Sequence, residues 1–191
     1  MILGEREQEL RDLFRYFLFI LIVCILVSLF FQCTVVRQTS MVPTFNDGDY
    51  LVCNRTLGLI EPKRGDVVIF RANMDVDGTG KQDVLLIKRV VGLPGEKIKS
   101  ENGLVYVNGK RVFEDYLHGH LTDDFYEVEI PKDSYFCMGD NRPGSIDSRS
   151  SEVGFIERRD IRGIELFRLF PSEFFQRVKL CSAEDRPSSG W

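Results

Sequence analysis

The sequence predicts a mainly β protein, in which an N-terminal transmembrane helix precedes an antiparallel β-barrel or sandwich-like domain. Three observations support this fold class. Residues 16–36 are apolar and carry no charged side chain. The rest of the chain consists of short β-prone runs separated by Gly, Pro and Asn-Gly turns. Helical periodicity is weak after residue 36, which favours strands over helices.

The apolar segment 16–36 is long enough to cross a membrane. As a helix it would span roughly 32 Å at about 1.5 Å per residue, and a bilayer core is about 30 Å thick. It is too long for a usual signal-peptide core and lacks small residues at the cleavage spacing. Three arginines precede it and one follows closely, so the positive-inside rule predicts a cytoplasmic stub at 1–15 and an external C-terminal part.

Residues 37–175 form the predicted β-rich domain outside the membrane. The turn Asn108-Gly109 between two apolar runs is a strong hairpin signal. A short helix is expected at 171–178, and the tail 176–191 is expected to be disordered. The predicted strands are 50–53, 67–70, 84–91, 104–107, 110–113, 125–130, 134–138, 155–157 and 163–170.

Composition excludes several classes of function. A formal net charge of −4 argues against a nucleic-acid binder, which would carry a basic face. The five cysteines include no Cys-x-x-Cys pair, so a zinc or thioredoxin-like site is not supported. A disulfide between Cys53 and Cys137 is possible, and buried free thiols are favoured. His118 and His120 flank a glycine, which suggests a mobile loop; no metal and no cofactor are expected.

Two side chains attract attention as possible reacting groups. Pro43 disfavours helix at the residue before it, so Ser40 should end an extended segment with its hydroxyl presented. The alternative is an ordinary linker serine. Lys88 lies inside the apolar strand 84–91, where desolvation and the neighbouring Arg89 would lower its pKa from about 10.4. The alternative is an edge strand from which the lysine reaches water.

A third stretch, 139–151, is rich in turn residues but is flanked by apolar strands. Such a loop needs internal hydrogen bonds if it is packed. It is either a purely structural loop or a brace that fixes an active lysine and offers it a hydroxyl from Ser145 or Ser148. Its ionic side chains are Asp140, Arg142, Asp147 and Arg149.

Together with the anchor, these stretches resemble bacterial type I signal peptidase (leader peptidase) in its short single-anchor form, from the anchor to about Phe170. The matching segments are Ser40-Met41-x-Pro43-Thr44, residues 88–96, Gly139-Asp140-Asn141-Arg142 and Ser145-x-Asp147-Ser148-Arg149.

The resemblance implies a nucleophile at Ser40 and a general base at Lys88. Ser145 resembles the hydroxyl that hydrogen-bonds the lysine amine. The implied supporting ion pairs are Asp140 with Arg89 and Asp147 with Arg149.

Two positions depart from the family pattern. Some members carry Ser or Thr two residues before the nucleophile, where the hydroxyl helps to form the oxyanion hole, and this chain has Gln38. The Ser40 backbone N–H is expected to be one donor, and whether the Gln38 amide supplies the second stays open. Pro143-Gly144 replaces the Asp-Asn often found there, which would stiffen the loop.

The implied substrate is an exported preprotein, still tethered by its signal peptide, with small residues at −3 and −1. We expect its cleavage region to add as a strand between the segment before Ser40 and residues 83–87. The side chains expected to line the binding pockets and keep them shallow are Val36, Met41, Phe45, Leu86 and Ile87. The implied location is the bacterial cytoplasmic membrane, as a single-pass protein with its catalytic domain outside.

Two further hypotheses come from this stage. The aromatic residues Phe167, Phe170, Phe174 and Phe175 are expected to rest in the lipid interface, with core packing as the alternative. Self-cleaving repressors and conjugation-associated peptidases share the Ser-Lys fold, but the repressors lack this anchor. An anchored, non-catalytic β module that binds secreted proteins would not depend on Ser40 or Lys88.

Overall fold

The computed structural model describes residues 2–55, 60–75 and 80–170. A single long helix, α1 (Ile2–Phe30), begins the chain. Its segment Gln8–Phe30 is apolar and long enough to cross a membrane, and none of its most apolar window is buried against the protein. The helix includes residues 2–15 of the stub expected at 1–15.

The helix ends six residues before the expected boundary at 36. Residues Phe31–Val35 form strand β1 instead. They pair antiparallel with Tyr50–Asn54, so their backbone groups find partners in a ladder. Apolar composition alone does not separate a membrane helix from such a strand, and this is why the sequence placed the boundary too late.

Eleven strands occur in the described residues, and they form two antiparallel sheets. They are β1 (Phe31–Val35), β2 (Tyr50–Arg55), β3 (Val67–Met74), β4 (Gln82–Gly92), β5 (Lys97–Glu101), β6 (Leu104–Val107), β7 (Lys110–Arg111), β8 (Phe125–Glu129), β9 (Ser134–Met138), β10 (Ile156–Glu157) and β11 (Ile161–Phe170). The larger sheet has the order β1-β2-β11-β3-β4-β9-β10. The smaller has the order β7-β6-β5-β8. The predicted mainly β fold is therefore confirmed.

Strand β4 determines where an open edge lies. It pairs with β3 from Gln82 to Arg89, but it pairs with β9 only from Arg89 to Gly92. Along residues 82–88 its second edge therefore has no strand partner in the described part of the chain. Strand β1, at the end of the larger sheet, leaves a similar open edge. Unpaired edges can accept a further strand.

Three apolar clusters fill the core. The first packs the faces of β3, β4 and β9 around Phe70, and it includes Cys137. The second lies beneath the turn that follows β1 and contains Met41, Phe45 and Cys53. The third joins the two sheets around Ile98 and Met138. Burial of these side chains is the main favourable contribution to folding.

The structure adds a strand that the sequence did not predict and leaves some expectations outside its described part. Strand β5 alternates exposed charged residues with buried Ile98 and Ser100, a pattern that its lysines obscured. The expected helix 171–178, the tail 176–191 and the residues Phe174, Phe175 and Cys181 lie outside the described residues.

We predict that the two buried thiols react only when the domain unfolds. Cys53 and Cys137 are both free and buried. Burial raises the pKa of Cys53 to about 12 and raises that of Cys137 further, so little thiolate forms at neutral pH. A variant with Cys24, Cys33 and Cys181 changed to Ser should therefore resist a thiol reagent when folded and gain two labels in denaturant, as counted by mass spectrometry. Rapid labelling of the folded protein would contradict the prediction, and no labelling in denaturant would indicate a disulfide.

Candidate active site

Ser40 begins a tight turn that is separated from the end of β1 by the segment 36–39, in which Gln38 has a left-handed φ of 81°. The turn is closed by the Phe45 N–H, which donates to the Met41 carbonyl at 2.9 Å. Met41 and Phe45 are both fully buried, so the chain must bend to place them in the core. The expectation that Ser40 ends an extended segment is therefore wrong. The side chain is 7% exposed and faces the interior of a groove.

Lys88 lies opposite this serine, on the central strand β4. Its side chain is 2% exposed, which contradicts the alternative of a lysine reaching bulk water. The amine Nζ donates to the Ser40 Oγ at 2.7 Å. Once the amine is neutral, the same distance allows the hydroxyl to donate its proton to nitrogen.

The surroundings of Lys88 make a neutral amine accessible near physiological pH. Burial lowers its pKa from 10.5 to about 8. The nearby carboxylates of Asp147 and Asp140 and the thiol of Cys137 act in the opposite direction, and Arg149 lowers the pKa slightly. Desolvation is therefore the dominant effect, because it disfavours the charged form.

The next residue along β4 turns to the opposite face and forms a buried ion pair. Arg89 donates to both oxygens of Asp140, at 2.8 and 2.5 Å, and neither side chain is exposed. The Thr44 hydroxyl also donates to Asp140, at 2.5 Å. This carboxylate thus ties β4 to the turn that carries Ser40. Such bidentate pairs fix geometry as well as charge.

The loop after β9 holds the nucleophile from the other side. The Asn141 backbone N–H donates to the Ser40 carbonyl at 3.0 Å. Asp147 accepts a bond from the Gly139 N–H at 2.9 Å and pairs with Arg149 at 2.8 Å. Burial raises the pKa of Asp147, but the hydrogen bond and charge of Arg149 outweigh it and hold that pKa below its usual value. Both ion pairs implied by the resemblance are therefore present.

Ser145 does not make the expected bond to the lysine amine. Its Oγ is buried without a hydrogen-bond partner among the described residues. The hydroxyl is near enough to Asp147 to help lower the pKa of that group. It also packs against Gly139, where a Cβ atom would lie 2.2 Å from the Ser145 Oγ and 2.5 Å from the Ser40 carbonyl oxygen.

A groove of about 550 Å³ runs between residues 34–38 and the open edge of β4, and it contains the Ser40–Lys88 pair. Of the predicted binding residues, Val36, Leu86 and Ile87 line it. Met41 and Phe45 do not; they belong to the core beneath it. The lining outside the two predicted flanking segments comes from Ile69, Met74, Asp75, Gly144 and Ile146.

Gln38 lies on the wall of this groove with an exposed side chain. Its φ is 81°, a left-handed conformation that is uncommon for a residue other than glycine. The Asp47 carboxylate accepts a bond from the Gln38 N–H at 2.8 Å. The backbone N–H of Gln38 is thus occupied, which leaves its side-chain amide as the group available to a ligand in the groove.

Thr44 and Asn141 were missed as site residues, although both lie inside the motifs quoted above. The neighbouring motif residues were singled out because they are charged or can act as a nucleophile. Thr44 and Asn141 only form hydrogen bonds with other site residues. A count of polar residues within each motif would have identified them.

Comparison with known proteins decides the family. The model of the family described as "Signal peptidase, peptidase S26" matches residues 10–170. The chain belongs to the signal peptidase family, peptidase S26. Signal peptidase I of Bacillus licheniformis is 35% identical over 179 residues, which cover 87% of this chain and 92% of that protein. Signal peptidase I T of Bacillus subtilis (strain 168) is 36% identical over 171 residues, with 84% of each chain covered.

A solved structure is also similar to this chain. The signal peptidase I of Enterococcus faecalis V583 is 30% identical, and the match covers 55% of this chain and 97% of that chain at a TM-score of 0.45. Family membership makes the protein a serine peptidase.

We predict that Gly139→Ala inactivates the enzyme with its secondary structure retained. The new methyl would overlap both the Ser145 hydroxyl and the Ser40 carbonyl oxygen, and the latter is backbone that cannot move without shifting the nucleophile. We expect about a hundredfold loss in kcat, since a displacement near 1 Å costs about that much.

Gly139→Ala/Ser145→Gly should recover only part of this loss, because it relieves one of the two overlaps. Gly163→Ala is the matched control, because its backbone is not left-handed and the nearest atom to its Cβ position, the Asn54 carbonyl oxygen, lies 3.1 Å away. Activity of Gly139→Ala near that of the control would contradict the prediction.

Proposed function

We propose that this protein is a membrane-anchored serine endopeptidase that removes signal peptides from exported preproteins, after small residues at −3 and −1, by means of a Ser40–Lys88 dyad. The observation that carries the proposal is the 2.7 Å contact between a buried amine and a hydroxyl inside a groove. The two relatives described above are both named as signal peptidases I, which supports the same class of substrate.

In the proposed reaction, neutral Lys88 accepts the Ser40 proton while Oγ bonds to the scissile carbonyl carbon. The tetrahedral intermediate collapses, the peptide C–N bond breaks, and the lysine ammonium returns the proton to the leaving amine. Water, deprotonated by the same lysine, then attacks the acyl carbon. The bond from Ser40 Oγ to that carbon breaks, the lysine ammonium returns its proton to Oγ, and the signal peptide leaves with a new carboxylate. Lysine replaces the imidazole of the Ser-His-Asp arrangement.

The oxyanion that forms in both steps needs hydrogen-bond donors. The Ser40 backbone N–H is the first candidate, because it belongs to the attacking residue. The Gln38 side-chain amide, on the groove wall, is the second. Each such donor contributes about 10²–10³ in kcat in other serine peptidases.

The remaining site residues support the dyad. The pairs Arg89–Asp140 and Asp147–Arg149 anchor the strand and the loop on either side of it. We assign Ser145 to the same support, through its packing on Gly139 and its influence on the Asp147 carboxylate.

The substrate is proposed to bind as an added strand. The open edges of β1 and of residues 82–88 of β4 flank the groove, so an extended peptide between them could bond to both. Val36, Leu86 and Ile87 would then define shallow apolar pockets. Pockets of this kind favour small side chains at alternate positions of the bound strand.

The anchor would confine the enzyme to the membrane that holds its substrate. We propose that α1 spans the bacterial cytoplasmic membrane once, with the N-terminus in the cytoplasm and the peptidase domain outside. Exposed apolar side chains continue beyond the helix at Phe31, Val35 and Tyr50. Phe167 is partly buried on the same sheet, and the Phe170 side chain, like the residues after it, is outside the described part.

We predict that Ser40→Ala and Lys88→Arg each abolish cleavage of a preprotein with an Ala-x-Ala site. Alanine removes the nucleophile, and the arginine guanidinium stays charged at any usable pH and so cannot accept a proton. Gel assays with reconstituted full-length enzyme would measure cleavage, and circular dichroism would check folding. Ser150→Ala serves as a control serine outside the groove lining. Cleavage by a folded Ser40→Ala variant would favour the non-catalytic binding module.

We also predict that kcat/KM rises about tenfold per pH unit below about pH 8, bends near that pH and levels off above it. The reactive form is the neutral amine, and a Lys88 pKa of about 8 leaves it mostly protonated at pH 7. Because Lys88 acts as a base only when its amine is neutral, activity increases as the pH rises through the pKa of this residue. A rate that is flat or falls between pH 6 and 8 would exclude Lys88 as the base.

A further inference from the structure

The connection between β7 and β8, residues 112–124, leaves the smaller sheet and reaches the loop that holds Ser40. A short 3-10 helix, Asp115–Leu117, lies within it. The charged and aromatic side chains just before and inside this helix, Glu114 and Tyr116, contact residues of the larger sheet and its loop. Neither residue belongs to the motifs that resemble the signal peptidase family.

Glu114 forms a buried ion pair with Arg142. The guanidinium donates to both carboxylate oxygens, at 2.5 and 3.1 Å, and the two side chains are only 7% and 1% exposed. The Tyr116 hydroxyl donates to the same carboxylate at 2.6 Å, and Thr122 accepts a further bond from Arg142. Two side chains of this connection, Glu114 and Thr122, thus hold the Arg142 guanidinium, and Tyr116 orients the Glu114 carboxylate.

Arg142 in turn fixes the backbone beside the nucleophile. Its Nε donates to the Gly139 carbonyl at 3.1 Å, and its backbone N–H donates to the Asp140 carbonyl at 3.0 Å. The intervening Asn141 N–H donates to the Ser40 carbonyl. A shift of Arg142 would therefore move the loop that bonds to Ser40.

Tyr116 makes a second attachment to the site. The Arg89 guanidinium carbon lies 4.1 Å from the centre of its ring. Contacts of this kind are attractive, and more so when water is excluded. Since Arg89 follows Lys88 on β4 and binds Asp140, the ring supports both the strand and the loop.

We propose that Glu114 and Tyr116 are positioning residues for the dyad, through which the smaller sheet keeps Ser40 within hydrogen-bond distance of Lys88. The inference rests on the proposed function. The competing explanation is that the two residues only join the sheets, in which case their loss would lower stability and leave the chemistry unchanged.

The two explanations differ in what they predict for the pH dependence. The charged and titratable groups that face Lys88 are Asp147, Asp140, Arg149 and Cys137. If the loop that carries Asp140, Asp147 and Arg149 loosens, water reaches the Lys88 amine and its pKa rises toward the ordinary value. Removal of the distant Glu114 charge by itself would act weakly in the opposite direction.

The test compares Glu114→Gln and Tyr116→Phe in the full-length enzyme, reconstituted in phospholipid vesicles, with an Ala-x-Ala preprotein as substrate. We expect Glu114→Gln to lower kcat by about 10–100-fold with KM unchanged, since misplaced reacting groups lose rate in this range. The acidic limb of its pH profile should move to higher pH, so that part of the loss is recovered at pH 9. Tyr116→Phe should give a smaller change in the same direction.

Glu101→Gln is the matched control. Glu101 pairs with Lys99 at 2.6 Å in the same small sheet, but its side chain is 57% exposed. We expect its kcat and pH profile to match those of the unmodified enzyme.

The inference fails if folded Glu114→Gln and Tyr116→Phe keep the kcat and acidic limb of the unmodified enzyme. It also fails if the loss appears in KM alone or if the limb moves to lower pH. Should Glu114→Gln not fold, Tyr116→Phe decides, because it removes one hydroxyl and keeps the ring over Arg89. Failure of the proposed function would look different: the unmodified enzyme would not cleave the preprotein, or Ser40→Ala would still do so.

Discussion

The reactivity of the contact between the Lys88 amine and the Ser40 hydroxyl depends on the exclusion of water from the lysine side chain. An isolated ammonium in an apolar core is strongly unfavourable, and the side chain responds by giving up its proton more easily. The fold imposes this condition by placing Lys88 where β4 passes from an open edge to pairing with β9. On one side of that point the edge of β4 is open, and on the other it is covered by β9.

The other buried charged side chains near the dyad are paired with opposite charges. This pairing explains how several of them can be buried close together. Arg89, Arg142 and Asp147 are almost fully buried, and each has an oppositely charged neighbour with hydrogen bonds of ordinary length or shorter. Buried pairs add little net stability compared with apolar packing, but breaking one leaves an uncompensated charge. Their value here is geometric, since they define one position for the loop after β9 and one for the turn after β1.

Much of this site could be predicted because its chemistry lies in contiguous motifs. A lysine in an apolar strand indicated a base with a lowered pKa, and the resemblance of the three motifs to signal peptidase implied the dyad and both ion pairs. The direction of the side chains was harder to predict from the sequence. Met41 and Phe45 are in the core because the turn orients them inward. The Ser145 hydroxyl does not reach the Lys88 amine. The motifs could not identify Glu114 and Tyr116, because these residues contact the site only as a result of the packing between the two sheets.

The helix α1 passes into β1 without an intervening loop, for Phe30 ends one element and Phe31 begins the next. With α1 in a bilayer as proposed, the peptidase domain has no flexible tether and cannot change its height above the lipid. The five residues of β1 span roughly 17 Å, and Ser40 follows after a short segment held by β2 and the core, so the distance of the attacking oxygen from the end of α1 is set by the fold. A preprotein whose own apolar helix ends at the same level must then present its scissile bond a matching number of residues further on. The distance of the scissile bond from the membrane would then determine where the preprotein is cleaved, together with the size of the side chains at −3 and −1.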